Sequence, residues 1–250
     1  MEREAGAAVA GKPATVRPLT DTERPKLSKA AVIERGLALA DTEGLEAVTI
    51  RRLAAELGVT PMALYWHFRN KDELLTGLAE AVWAELDVRV DPRDDWPSQL
   101  RRLLASLVQV LRRHRSASQL LVGSEKRMGD AAMVASETTL EVLQRGGFDV
   151  EYSAAIMRSA LFTGVMLAMS EPGFEPGVTE AERTEHLRQT RVRLSLLPPD
   201  RFPLVVAAAG PMTACDDPDF HYQLGIDMFI AGVQALSQRA VAGNANGVTG

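Results

Sequence analysis

This sequence predicts an all-α protein, with a small N-terminal three-helix domain followed by a larger helical domain. Apolar residues recur at three-and-four spacing through most of its 250 residues. From Ser98 onward no stretch alternates with the two-residue period of a strand. The periodic runs are bounded by capping residues and by glycine or proline, the punctuation of helices. A hydrophobic content of 46% and a charged content of 24% fit a globular chain with a large core, in one or two domains. No run approaches the ~18 apolar residues that span a bilayer. The N-terminal alanines are broken by Glu2, Arg3, Glu4, Lys12 and Pro13, unlike a secretion signal. Cys215 is the one cysteine, which excludes an internal disulfide and a cysteine metal cluster. With no export signal it points to the cytoplasm.

Residues 1–24 hold Ala, Gly, Pro and Thr with scattered charge and no period. They read as a disordered tail, in which Lys12, Arg17 and Arg24 form either a passive extension or a basic arm. The domain at 25–74 opens with a helix from Ser28, a good cap, to Gly44, with Val32, Ile33, Leu37 and Ala40 on its apolar face. Leu45 and Val48 close the core beneath it. Ile50, Leu53, Ala54 and Leu57 form the face of a second helix, which Gly58 ends because glycine enters the left-handed region without a Cβ clash. Thr60 caps a third helix and Pro61 fits its first position. That helix runs to about His67, carrying Met62, Leu64, Tyr65, Trp66 and Phe68 near it. Trp66 is expected to turn inward with Leu64.

Two short helices across a glycine turn form a helix-turn-helix. Its second helix normally enters the DNA major groove. Arg51 and Arg52 stand in the first turn of the first of these helices, and Arg69, Asn70 and Lys71 follow the second, where cations meet phosphate. From Lys26 to Lys71 seven cations face five anions, a balance of +2 that leaves −7 for the rest of a chain of net charge −5. A mildly basic head on an acidic body fits contact with DNA at one end only. Asn70 and Glu73 make a capping-box-like start for a fourth helix, expected to reach Val88 through Leu74, Leu75, Leu78, Val82 and Leu86.

A larger helical domain is placed at 75–240, with a flexible tail at 241–250. A polar, proline-broken link, Asp91 to Pro97, precedes a helix at 98–114 with Leu100, Leu103, Leu104, Leu107, Val108 and Leu111 inward. A short helix follows at 118–122. Helices at 130–145 and 150–169 flank a Gly146-Gly147 C-cap. Pro172, Gly173, Pro176 and Gly177 then break the chain. A charged surface helix is expected at 180–196, an irregular segment between Pro198-Pro199 and Pro211, and a last helix at 219–240. The last helix is apolar on nearly all sides, so more than one of its faces must be covered. Small residues Ala154, Ala155, Ala160, Gly164 and Ala168 let the 150–169 helix approach a neighbour closely. These two helices are the expected interface of a homodimer, the alternative being burial within one chain.

The run from Ser28 through Leu75 closely resembles the DNA-binding domain of TetR-family transcriptional regulators, through TIRRLAAELGV and LYWHFRNKDELL. The resemblance implies a ligand-responsive homodimeric repressor on a palindromic double-stranded DNA operator. It implies base contacts from Arg51 and from Thr60, Pro61, Met62 and Ala63, and phosphate contacts from Tyr65, His67 and Lys71. Thr49 either caps its helix or meets a phosphate. Arginine suits bidentate bonding to guanine, whereas Met62 and Ala63 offer apolar contact only. In tetracycline-repressor-like members the positions of Pro61, Met62 and Ala63 include polar side chains.

Asp95-Trp96 with Leu100-Arg101, Leu121-Val122-Gly123, Gly147-Phe148 and LGIDMFIAGVQAL resemble, more faintly, the tetracycline-repressor type of C-terminal domain. This implies a small-molecule effector pocket between the fourth, fifth, seventh and eighth helices. Tetracycline repressors hold a drug-bound magnesium with a histidine, where this chain has Leu121. Asp87, Leu103, Leu107 and Thr139 fall at other pocket positions. The expected lining is therefore apolar, from Leu103, Leu107, Leu121, Met133, Met157, Phe162 and Met166, with Ser124 and Thr139 as polar handles. The same residues read equally well as core. No metal site, cofactor or catalytic residue is expected: His67, His114, His186 and His221 form no HExxH motif, and no glycine-rich phosphate loop is present. A helical small-molecule-binding protein without DNA activity is the alternative.

Overall fold

The computed structural model describes residues 27–122, 128–169, 178–213 and 218–246. The tail at 1–24, Gly123, Ser124, the 172–177 breakers and Cys215 lie outside the described residues. The side chains of Arg115, Pro218 and residues 239–246 also lie outside them. Among the described residues the chain forms helices α1 (Lys29–Glu43), α2 (Ile50–Glu56), α3 (Pro61–Tyr65), α4 (Lys71–Ala84), α5 (Trp96–Arg113), α6 (Ser118–Leu121), α7 (Asp130–Arg145), α8 (Val150–Met169), α9 (Glu180–Ser195), α10 (Pro203–Thr213) and α11 (Pro218–Asn246), and no strand.

The head comprises α1 to α3 with the start of α4. Its helices begin where the sequence places a side-chain oxygen. The hydroxyls of Ser28, Thr49 and Thr60 and the amide oxygen of Asn70 each accept a backbone N–H of the first turn. Gly58 turns the chain between α2 and α3 at φ 65°, where a side chain would be strained. Val32, Leu53, Leu64, Phe68, Leu74 and Leu78 are fully buried and form one core.

In the body, α5 is the central helix, with α7, α8 and α11 packed around it. Gly164 lets α8 lie close on α5: a Cβ there would come within 2.7 Å of Leu107. The buried Gln99 amide donates to the carbonyls of Asp91 and Asp94 and accepts from Arg145, fixing the link before α5 to the end of α7. By length and composition α8 could cross a membrane. It lies here against α5, α7 and α11 as a central helix of the body.

Three boundaries depart from expectation. Helix α4 stops at Ala84 rather than Val88, so Leu86 and Val88 leave the helix and turn toward the body. The segment framed by Pro198-Pro199 and Pro211 is not irregular throughout, because α10 occupies 203–213. Pro211 sits in its last turn and forfeits only one helical bond. Helix α11 continues six residues past Ala240.

Candidate nucleic-acid interface and effector cavity

Head and body meet where α1, α4 and α5 end. His114, the C-cap of α5, places Nδ1 2.8 Å from Asp41 Oδ2 and Nε2 3.0 Å from Glu85 Oε1. Ser116 Oγ donates to Asp41 Oδ1 at 2.9 Å, and Arg113 pairs with Glu85. Both ring nitrogens of His114 can donate at once only if the ring is protonated. Glu80, further up α4, accepts from the Ala131 N–H at the start of α7, at 2.8 Å. Helix α4, which carries the head, is thus tied to the body at two levels.

The outer face of the head is built by α2, α3 and the start of α4. The two adjacent arginines of α2 differ sharply. Arg52 is held by Glu56 at 2.8 Å and Glu43 at 2.7 Å. Its hydrogen bond, reinforced by Arg35, pulls the Glu56 carboxyl below its usual range. Arg51 is exposed and makes no hydrogen bond or ion pair among the described residues. One guanidinium braces the domain and the other faces solvent. The oxygens of Thr49 and Thr60 accept the N–H groups of Arg52 and Ala63, so both threonines cap. Pro61, Met62 and Tyr65 are exposed on α3, with Ala63 and His67 half-buried. Lys71 lies 3.7 Å from Glu46, a loose pairing between exposed side chains.

Trp66 corrects the expectation that it packs inward: it is 86% exposed. Helix α3 is only five residues long and ends at Tyr65, so Trp66 falls outside while Leu64 and Phe68 take the core.

The body contains a cavity of about 540 Å³ between α5, α6, α7, α8 and the segment that ends α4. Leu103, Leu107, Leu121, Thr139, Met157 and Phe162 line it. Met133 and Met166 do not: they are exposed on the outer faces of α7 and α8, at 49% and 61%. Ser124 lies outside the described residues, and Asp87 pairs with Arg89 instead. Among lining residues that sequence reasoning missed are Trp83 in the last turn of α4, Leu86 and Val88, brought in by the early end of that helix, and Ser136 and Arg158. Arg158 carried a signal, as the one cation in a mostly apolar helix. None of the described lining residues is His, Asp, Glu or Cys.

Comparison with known proteins matches the chain in two stretches. The family model for bacterial regulatory proteins of the tetR family matches residues 32–78, and that for the tetracyclin repressor-like C-terminal domain matches residues 90–237. The class C tetracycline repressor protein of Escherichia coli is 31% identical over 215 residues, covering 84% of this chain and 92% of the repressor. The HTH-type transcriptional repressor DrrR1 of Streptomyces coeruleorubidus is 29% identical over 222 residues, covering 85% and 79%. Among solved structures, the TetR family protein ActR of Streptomyces coelicolor, in complex with actinorhodin, superimposes with a TM-score of 0.70 at 29% identity, over 85% of this chain and 99% of ActR. With both family models matched along most of its length, the chain belongs to the TetR family of transcriptional regulators.

Proposed function

We propose that the protein is a homodimeric repressor that acts in the cytoplasm, binds a palindromic operator through α3, and releases it when a small, largely apolar molecule fills the body cavity. The observation that carries this reading is the contrast between Arg51 and Arg52, since a guanidinium left unpaired beside a fully paired one is available to a base edge. Met62, Tyr65 and Trp66 stand on the same outer face, and Tyr65, His67 and Lys71 would hold phosphate.

One head reads few base pairs, so two are needed, with half-sites about 34–36 Å apart or a multiple. Tyr152, Phe162, Met166 and Met169 on α8 and Phe220, Leu224, Met228 and Leu236 on α11 form exposed apolar rows at helical spacing. Pairing these rows with a second copy would cover them in a four-helix bundle. A ligand in the cavity would touch Trp83, Leu86 and Val88, hence the end of the helix that carries the head. It would favour whichever dimer holds the heads at the wrong separation, by no more than its difference in affinity for the two forms.

The test is gel-shift on an inverted repeat upstream of the protein's own gene or a divergent neighbour. Wild type should bind as a dimer, and Arg51→Ala and Tyr65→Phe should bind weakly. A monomer in solution, or a protein that takes up ligand but ignores such repeats at low salt, overturns the reading in favour of a binding protein without DNA activity.

A further inference from the structure

We infer that the effector is an organic anion: an apolar body bearing a carboxylate that seats on Arg158, with its hydroxyl or N–H donors turned toward Ser136 and Thr139. This rests on the cavity being the effector site and specifies its chemistry. The cavity wall is apolar apart from a few groups, and their hydrogen-bonding states differ. Ser136 Oγ donates to the Ala132 carbonyl at 2.8 Å and Thr139 Oγ1 to the Ala135 carbonyl at 2.7 Å. A hydroxyl has one proton, so each now presents only lone pairs to the cavity. They can accept from a ligand but not donate to it.

Arg158 is the reverse case. Among the described lining residues it is the one charged group, and none of them is a carboxylate. It makes no hydrogen bond or ion pair among the described residues. Its neighbours one turn away on α8 are Ala154, Ala155, Leu161 and Phe162, so its own helix supplies no partner. Elsewhere in the body, Arg89, Arg93, Arg101, Arg102, Arg112 and Arg113 are each paired with a carboxylate; Arg191, Arg193 and Arg201 are exposed as Arg158 is, but are not among the described residues that line the cavity. A guanidinium left over at an apolar cavity is satisfied in water while the cavity is open. A neutral ligand covering it would strip that water and return nothing, whereas a carboxylate would meet it with two parallel charge-assisted bonds. The wall therefore selects for negative charge at the Arg158 end and for neutral donors along α7.

The experiment uses the full chain and two matched fluorescent probes, 1-pyrenebutyrate and the neutral 1-pyrenebutanol, titrated into wild type, Arg158→Gln, Arg158→Lys and the cavity-filling Leu121→Trp. Melting temperature and dimer size are checked for each. Wild type should bind the acid about tenfold or more tightly than the alcohol. Arg158→Gln should erase that preference by weakening the acid while the alcohol binds as well or better, and Arg158→Lys should restore part of it. Leu121→Trp should weaken both probes together. If wild type binds both probes equally, or the preference survives in Arg158→Gln, the inference is overturned and the apolar cavity stands. If neither probe binds wild type, or Leu121→Trp changes neither, the cavity is not the effector site and both readings fall.

Discussion

The head sets out its chemistry on consecutive turns of chain between Thr49 and Lys71, facing outward. The body gathers its chemistry from five segments spread between Trp83 and Phe162, facing inward. In the head the side chains proposed to meet DNA are ones the core does not need: Arg51, Met62 and Tyr65 stand outside, with Trp66 beside them, while Leu53, Leu64 and Phe68 hold the domain together. In the body the same leucines do both jobs, since Leu103, Leu107 and Leu121 are nearly buried and also form the cavity wall. A site built on the outside of a finished core can change its specificity at little cost to stability. A site built from the core cannot.

That contrast can be broken by mutation. The largest effect is expected from Phe68→Ala, which removes a fully buried ring and should cost about 3–5 kcal/mol in denaturant unfolding, with DNA binding lost and the body still helical. Arg51→Ala should cost about 1–3 kcal/mol of operator affinity and relax choice at one base pair, with an unchanged unfolding midpoint. Equal losses of stability and affinity would place Arg51 with the bracing groups. Lys71→Ala should weaken all DNA sequences alike and lower the slope of log affinity against log salt by about one.

The smallest effect separates the other arginine. The Glu56 carboxyl is held below its usual range chiefly by its hydrogen bond to Arg52. A group depressed on folding stabilises the native state above the ordinary carboxylate range and loses that contribution as pH falls through its folded value. Arg52→Ala should therefore shift the melting temperature down slightly at neutral pH and flatten its acid-side fall, while base choice is unaffected. A change in base preference would make Arg52 a reader too.

How much of each region was legible in the sequence follows from the same difference. Ser28, Thr49, Thr60 and Asn70 cap through bonds that reach only three residues along the chain, and Gly58 acts at its own dihedral. Such local effects are written in the order of the residues. Trp66 was misjudged because aromatic character suggests core, and only the length of α3 decides which way residue 66 points. In the body, six expected residues line the cavity, but Met133 and Met166 face away from it. Which face of α7 or α8 turns inward depends on how those helices roll against α5, a relation between distant segments that no spacing within either helix contains. The early end of α4 is of the same kind: its periodicity continues to Leu86, but the helix does not.

The three tryptophans of this chain have a practical consequence. Trp66 stands at the tip of the head, Trp83 on the cavity wall, and Trp96 edge-on to Phe148 at the base of α5. Trp66 is exposed while Trp83 and Trp96 are half-buried in different surroundings, so the protein contains three intrinsic fluorophores, one in the head, one at the cavity and one as a reference. Emission from a variant retaining only Trp66 would track operator capture, and from one retaining only Trp83 the arrival of effector. The order of the two events could then be followed by stopped flow without attaching a dye.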